Sequence, residues 1–343
     1  MTAAAPFVAA AVQAEPCWLD VEAGVDKAVG LIAEAASNNA RLVAFPETWI
    51  PGYPHFLWLG PQAWGMQFVQ RYHENSITVG DEVFQRLAGA SADNDICVVL
   101  GASERERGSL YMAQFAFGAD GEVLFCRRKL KPTHVERALF GEGDGSHLHV
   151  QEVAGIGRLG ALNCWEHLQP LTKFAMYSQG EQVHVAGWPS FCLYRGLANA
   201  LDIEVNMNAT QVYAVEGSCF TIAATTVTRE AGLNLFCQDD EQRALLGGVG
   251  GGGCSRIYAP DGRIISNLLD EHEEGIVYAE IDLSLIPLSK VAQDPSGHYA
   301  RPDVTRLVFD PRPQPAVEIV ADEAAAPGDG DGRLEELPQP ATA

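Results

Sequence analysis

Six short apolar runs recur along the first 224 residues of a 343-residue chain: FVAAAVQ (7–13), LVAFP (42–46), ICVVLG (96–101), LGALN (159–163), VHVAG (183–187) and FTIAA (220–224). Each is long enough for a buried strand and too short for an independent helix. Between several of them lie segments with the three- and four-residue apolar spacing of a helix. In 20–38 that spacing falls on Val21, Val25, Ala28, Val29, Ile32 and Ala35; 168–179 carries Leu171, Phe174, Ala175 and Tyr177, and 196–215 is a third, interrupted candidate. Asp-Gly turns mark two hairpins, MAQFAFGADGEVLFCRR (112–128) and SRIYAPDGRIISNLL (255–269). Strands alternating with helices, with hairpins added, predict an α/β sandwich of mixed sheets covered by helices. Residues 1–310 read as one domain without internal repeats.

From Pro311 the chain is rich in Pro, Gly and acids and has no sustained apolar period. Such a composition does not offset the entropy of ordering, so 311–343 reads as a disordered acidic tail. The net charge of −22 argues against nucleic acid or an anionic membrane as partner, because both call for clustered Lys and Arg. No run approaches the roughly 18 apolar residues of a membrane span. The N-terminal MTAAAPFVAAAVQAEP lacks the basic start of a secretory signal, so a cytoplasmic address is expected.

Eight cysteines, at 17, 97, 126, 164, 192, 219, 237 and 254, form no Cys-x-x-Cys pair and no regular framework. Most lie in apolar runs and read as buried reduced thiols. Cys164 differs because it directly follows the run LGALN. Two other runs end in the same way: LVAFP leads into Glu47 and EVLFCRR into Lys129. Strand ends are where an α/β sheet aims side chains into a shared crevice. Taken singly, each has an ordinary reading. Glu47 suits a solvated turn, Lys129 a basic patch with Arg127, Arg128 and Lys131, and Cys164 a packed thiol. Together they match a chemical need. A thiol is weakly ionised at neutral pH and becomes a nucleophile when a base and a cation attend it.

The segments FPETWIPGYP (45–54), RRKLKPTHVER (127–137) and LNCWEHLQPL (162–171) resemble, in order, the three signature blocks of the nitrilase superfamily, the carbon–nitrogen hydrolases. AGWPSFCLY (186–194) and GHYARPDV (297–304) are also similar to segments of that family, and the resemblance covers roughly residues 5–310. It implies a four-layer αββα sandwich whose subunits pair through helices and build spirals or filaments. It implies Glu47 as general base, Lys129 as catalytic lysine, Cys164 as nucleophile and Glu136 as a second glutamate near the lysine. Lys131 is the competing lysine; Lys129 is preferred because the pattern of the family it resembles places the functional lysine directly after an Arg and before a hydrophobic residue, as Lys129 stands here.

The mechanism so implied uses no metal or organic cofactor. Cys164 adds to a carbon bonded to nitrogen, Glu47 takes its proton, and the N–H of Trp165 joins Lys129 in stabilising developing charge. The tract Cys164–His167 resembles nitrilases and cyanide-degrading relatives, so an organic nitrile is the expected substrate. Cyanide dihydratase is the alternative, followed by an amidase, a non-catalytic self-assembling scaffold and a thiol redox protein. Trp165, Trp188, Pro189, Tyr53 and Thr133 are candidates for the pocket wall, with core packing an equal reading for Trp188. The Gly-rich LGGVGGGG (246–253) lacks the ending of a phosphate loop and reads as a turning loop. His134, His167, His184 and His298 have no metal-ligand spacing and read as satisfied or surface histidines.

Overall fold

The computed structural model describes residues 5–317; the part of the expected tail from 318 onward lies outside the described residues. The chain opens on β1 (Phe7–Ala14), followed by α1 (Val21–Ser37) and β2 (Ala40–Ala44). Asp20 starts α1 by accepting a hydrogen bond from the Ala23 N–H at 3.0 Å. Two further helices, α2 (Gln62–Glu74) and α3 (Glu82–Asp93), precede β3 (Cys97–Glu106), β4 (Ser109–Phe117) and β5 (Val123–Arg128). The strands run in the order β5-β4-β3-β2-β1. The other long edge of β1 takes a late strand, running antiparallel from Gly275 to Ile281.

A second group follows. The short β6 (Phe140–Gly141) pairs with β4, while β7 (Val150–Val153), β8 (Gly157–Asn163), β9 (Val183–Trp188) and β10 (Phe220–Thr226) lie side by side. The edge beyond β10 is β11 (Arg256–Tyr258), and β12 is the late strand Gly275–Ile281. Among the described residues, the β7–β11 group joins the first where Gln13 and Ala14 pair with Thr225 and Thr226. Elsewhere they face each other. Ala9, Ala11, Leu42, Ala44 and Val99 from the first share one buried core with Leu159, Ala161, Val183, Val185 and Ile222 from the second.

Alternate residues point the other way, as the two-residue strand period requires. Ala10, Val12, Val43, Val98 and Leu100 pack against Val25, Ala28 and Ile32 of α1 and Phe84 and Leu87 of α3. On the far side, Leu162 packs against Ala175, Met176 and Tyr177 of α4 (Pro170–Ser178) and Tyr213 of α5 (Ile203–Gly217). Helix, sheet, sheet and helix therefore stack as four layers, the αββα arrangement that the resemblance implies.

All six apolar runs form strands, and α1 and α4 fall where the helical spacing places them. The interrupted 196–215 segment makes a short 3-10 turn at Asn199–Leu201 and becomes α-helical from Ile203, where the Asp202 carboxylate accepts from the Ile203 N–H at 2.7 Å. The first hairpin forms, pairing Phe117 with Val123. The second is partial: its return limb makes one bridge, Ile264 to Tyr258, because Ile265 and Leu269 turn into the core between the sheets. Neither α3 nor β12 was anticipated.

Candidate active site

The residues singled out at the three strand ends converge on one face of the sandwich. After β2 the chain turns sharply at Glu47, with Thr48 in the left-handed region at φ 47°. That turn lies directly on β3 at Gly101, where a Cβ would stand 2.1 Å from the Pro46 carbonyl oxygen. Only glycine permits the approach. Lys129 leaves β5 with its N–H bonded to the Met112 carbonyl at 2.8 Å. Cys164 is the first residue after β8 and also takes a left-handed backbone, φ 48°.

Arg127 and Glu166 tie two of these ends together. Buried Arg127 donates to Glu166 at 2.7 Å, and Glu166 also accepts from the N–H groups of Leu130 (2.9 Å) and Asn163 (2.8 Å). One carboxylate thus holds the backbone just after Lys129 and just before Cys164. Sequence reasoning missed it, having placed Arg127 in a solvated patch; the spacing Asn163-x-x-Glu166 before a short helical turn was the available signal.

Lys129 is fully buried between two carboxylates, at 2.8 Å from Glu47 and 2.9 Å from Glu136. Its third contact is the Met112 sulfur at 3.9 Å, a weak acceptor. Glu136 is itself held by the Tyr53 hydroxyl (2.7 Å) and the Thr133 N–H (2.5 Å). The other Glu47 oxygen, Oε2, is buried with no hydrogen-bond partner. Lys131, the competing lysine, is exposed and pairs with Glu142 outside the cluster.

Burial opposes the charge on Lys129, but the two carboxylates outweigh it and hold the ammonium well above the usual lysine range. Burial likewise raises Glu47 above an ordinary carboxyl, against the pull of Lys129. Burial and the Glu47 carboxylate keep the Cys164 thiol well above its usual value, while Lys129 and the Trp165 N–H at the sulfur act in the opposite direction. The resting sulfur is therefore a thiol beside a carboxylate of unusual basicity and a fixed cation, an arrangement that can pass a proton at the moment of attack.

Cys164 opens into a narrow cavity whose wall includes all five expected pocket residues: Tyr53, Thr133, Trp165, Trp188 and Pro189. Glu136 reaches the same cavity, while Glu47 and Lys129 lie beneath it with no solvent exposure. The Trp165 indole N–H is anchored on Asn206 at 3.0 Å, whereas that of Trp188 has no partner. Also on the wall are His55, Ser190 and Phe191, which sequence reasoning missed. Phe191 is kept there by the Gly-rich loop: its N–H donates to Gly252 at 3.0 Å, and a Cβ on Gly252 would stand 2.5 Å from that nitrogen.

The four histidines separate cleanly. His134 stacks on Trp58 with ring centroids 5.3 Å apart, His298 is exposed, and His167 and His184 are buried against each other. Of the eight cysteines, five are buried and three partly exposed, and all are free thiols. Among the described residues no group of three or more His, Cys, Asp or Glu is placed to hold a metal ion.

The family described as carbon–nitrogen hydrolase matches residues 8–290. A nitrilase from Pseudomonas syringae pv. syringae (strain B728a) is 51% identical over 317 residues, covering 92% of this chain and 94% of the relative. An aliphatic nitrilase from Rhodococcus rhodochrous is 53% identical over 307 residues, covering 89% and 83%. Among solved structures, a carbon–nitrogen hydrolase from Helicobacter pylori G27 superposes with a TM-score of 0.67 at 18% identity, covering 87% of this chain and 96% of its own. At that identity the likeness speaks for the fold alone.

Proposed function

Because the chain belongs to the carbon–nitrogen hydrolase family, we propose that it hydrolyses an organic nitrile to the carboxylic acid and ammonia, with Cys164 as nucleophile. The reading is carried by one arrangement: a fully buried lysine bridging two carboxylates beside a cysteine that faces a cavity. Nitriles are favoured among carbon–nitrogen substrates by relatives at about half identity that bear the name nitrilase.

Cys164 Sγ attacks the nitrile carbon while its proton passes to Glu47, whose free Oε2 has no competing partner. Glu47 then gives that proton to the nitrile nitrogen, which completes a neutral thioimidate and restores the carboxylate. Water adds to the thioimidate with Glu47 as base, ammonia leaves, and a second water cleaves the thioester to give the acid and the free thiol. The Lys129 N–H now spent on the Met112 sulfur is the one most readily turned to the developing charge, and the backbone N–H of Trp165, the residue after the nucleophile, can join it. Glu136 keeps Lys129 charged, and Tyr53 and Thr133 hold Glu136 in place.

The same reading extends to assembly and location. Leu171 on α4 and Val212 on α5 stand exposed on the outer helical layer, which supports homodimers formed through these helices and then larger spirals or filaments. Light scattering tests this, with Leu171→Asp expected to yield smaller species. Eight unpaired thiols suit the reducing cytoplasm, and no helix of the described residues is long and apolar enough to cross a membrane. Residues 1–310 acting as one hydrolase domain complete the reading.

The deciding experiment is a panel of aliphatic, aromatic and arylacetonitriles with cyanide and simple amides, scoring acid, amide and ammonia together. Acid and ammonia from at least one organic nitrile are expected. Turnover confined to cyanide or to amides would replace this reading with cyanide dihydratase or amidase.

A further inference from the structure

The backbone carbonyl of Cys164 meets a second set of buried titratable groups that the reaction does not touch. His167 Nδ1 lies 2.7 Å from that oxygen. The Nε2 atoms of His167 and His184 are 2.9 Å apart, His184 Nδ1 is 2.6 Å from Glu181 Oε1, and the Tyr213 hydroxyl is 2.6 Å from Glu181 Oε2. None of the four side chains is more than 2% exposed.

With both imidazoles uncharged, as their burial favours, the direction of every bond in this chain follows from its ends. A carbonyl only accepts, so His167 Nδ1 carries its proton and His167 Nε2 presents a lone pair. His184 must then donate through Nε2 and accept through Nδ1. Glu181 must donate in turn, and it does so as a neutral carboxylic acid whose other oxygen accepts from Tyr213. Three hydrogen bonds link Glu181 to the Cys164 carbonyl, and three protons fill them. Removing one leaves two lone pairs facing each other at one of the links, whichever way the imidazoles rearrange.

The surroundings agree with this arrangement. Burial pushes both imidazoles well below their usual range, so neither is a cation near neutral pH. Burial pushes the Glu181 carboxyl up to about 8, against the hydrogen bond from Tyr213. The charged groups facing the chain are Glu166 and Lys173 toward His167 and Arg127 and Glu166 toward His184; Tyr177 and Cys219 border Tyr213. Arg127 and Glu166 form a 2.7 Å ion pair and largely cancel. Tyr213 stacks on His184 with centroids 3.8 Å apart, and Trp188 on His167 at 5.1 Å.

What the chain holds is a strained turn. Cys164 sits at φ 48°, a conformation that L-residues keep only where their surroundings impose it. Glu166 holds the Asn163 N–H ahead of the turn, and His167 holds the Cys164 carbonyl within it. We propose that Glu181, His184 and His167 form a proton-ordered strut that fixes the nucleophile's backbone, and that losing the Glu181 proton releases it. His167, His184 and Glu181 are thus positioning residues. The strut rests on Cys164 being the nucleophile, as proposed above.

The test compares wild type with Glu181→Gln, whose amide N–H donates permanently to His184 while its carbonyl accepts from Tyr213. Two rates are followed on each full-length protein from neutral pH to well above 8: alkylation of Cys164 by iodoacetamide, read by mass spectrometry, and ammonia release from a nitrile. The ratio of Glu181→Gln to wild-type rates is expected to rise about tenfold per pH unit above the Glu181 titration, since one proton is involved. A ratio flat with pH overturns the strut. If Glu181→Gln does not fold by circular dichroism, His167→Phe and His167→Asn take its place. Phe removes the donor and lowers both rates. Asn can offer an N–H to the same carbonyl without a titrating partner, restoring part of the rate and abolishing the alkaline decline. Equal rates for Phe and wild type overturn the proposal. Because alkylation reads Cys164 directly, normal alkylation without ammonia release counts against the nitrile reading and leaves the strut standing.

Discussion

Two buried clusters of titratable groups bracket Cys164, and they are built on opposite principles. The cluster toward the side chain, Glu47–Lys129–Glu136, holds more carboxylates than cations and leaves one carboxylate oxygen without a partner. The cluster toward the backbone, His167–His184–Glu181–Tyr213, contains no fixed charge and satisfies each of its links with one proton. An unsatisfied buried group is costly to fold around and is therefore informative where it persists. The comparison separates chemistry from support: reactivity gathers where polar groups are left unpaired, and rigidity where all are paired.

Breaking the reactive side at its centre has the largest expected effect. Cys164→Ala removes the nucleophile, so ammonia release from any nitrile falls to background while the circular dichroism spectrum is unchanged; retained turnover would rule the mechanism out. Glu47→Gln keeps shape but removes the base, and kcat is expected to drop by about 10²–10⁴-fold, the usual value of a positioned acid–base group. A decrease smaller than tenfold would move the base elsewhere.

Arg127→Met tests the tether that joins the two strand ends. It strands Glu166 as a buried carboxylate without its cation, for which about 3–5 kcal/mol of stability is the expected loss in chemical denaturation. Tyr213→Phe touches only the supporting side and removes one neutral hydrogen bond, about 1 kcal/mol. Lys131→Met, on the exposed lysine, is expected to change stability by less than about 0.5 kcal/mol and to leave kcat unaltered. A large loss of kcat there would exchange the roles given to Lys131 and Lys129.

Acid and alkali should separate the tether from the strut. Burial opposes ionisation of Glu166, but Arg127 and two backbone N–H groups outweigh it and hold the carboxyl below its usual value. Its stabilising contribution is therefore present above the ordinary carboxyl range and lost as pH falls through the lowered value. Glu181 is shifted the other way, so its contribution is present at low pH and lost as pH rises toward about 8. Thermal midpoints measured against pH should fall at both ends for wild type. Glu181→Gln should lessen the fall on the alkaline side without abolishing it, because burial raises Glu47 in the same direction, and an unaltered alkaline slope would show that Glu181 is ionised in the folded protein.

Much of this architecture was legible. Each of the six apolar runs becomes a strand because strands buried on both faces leave an uninterrupted apolar signature. Helix α1 shows its period and its Asp20 cap. Helix α3 escaped notice although Val83, Phe84 and Leu87 mark its buried face, and β12 because it returns from far along the chain to a strand already paired on its other side. The second hairpin was over-read: a turn motif specifies a reversal of the chain, whereas a ladder also needs a free edge and suitable packing. At the site, the strand-end positions of Lys129 and Cys164 were visible. The tether at Glu166 and the strut at His167 were not, because their partners Arg127, His184 and Glu181 lie on other elements.

The sequence by itself determined which residues are reactive in kind and where strands deliver them, since residue chemistry and two-residue periodicity are local properties. Only the tertiary structure decided which lysine is buried, which carboxylate oxygen stays unpaired and which histidine nitrogen must carry a proton. Those are consequences of removing water from groups far apart in the chain, and desolvation depends on what surrounds a side chain rather than on what precedes it.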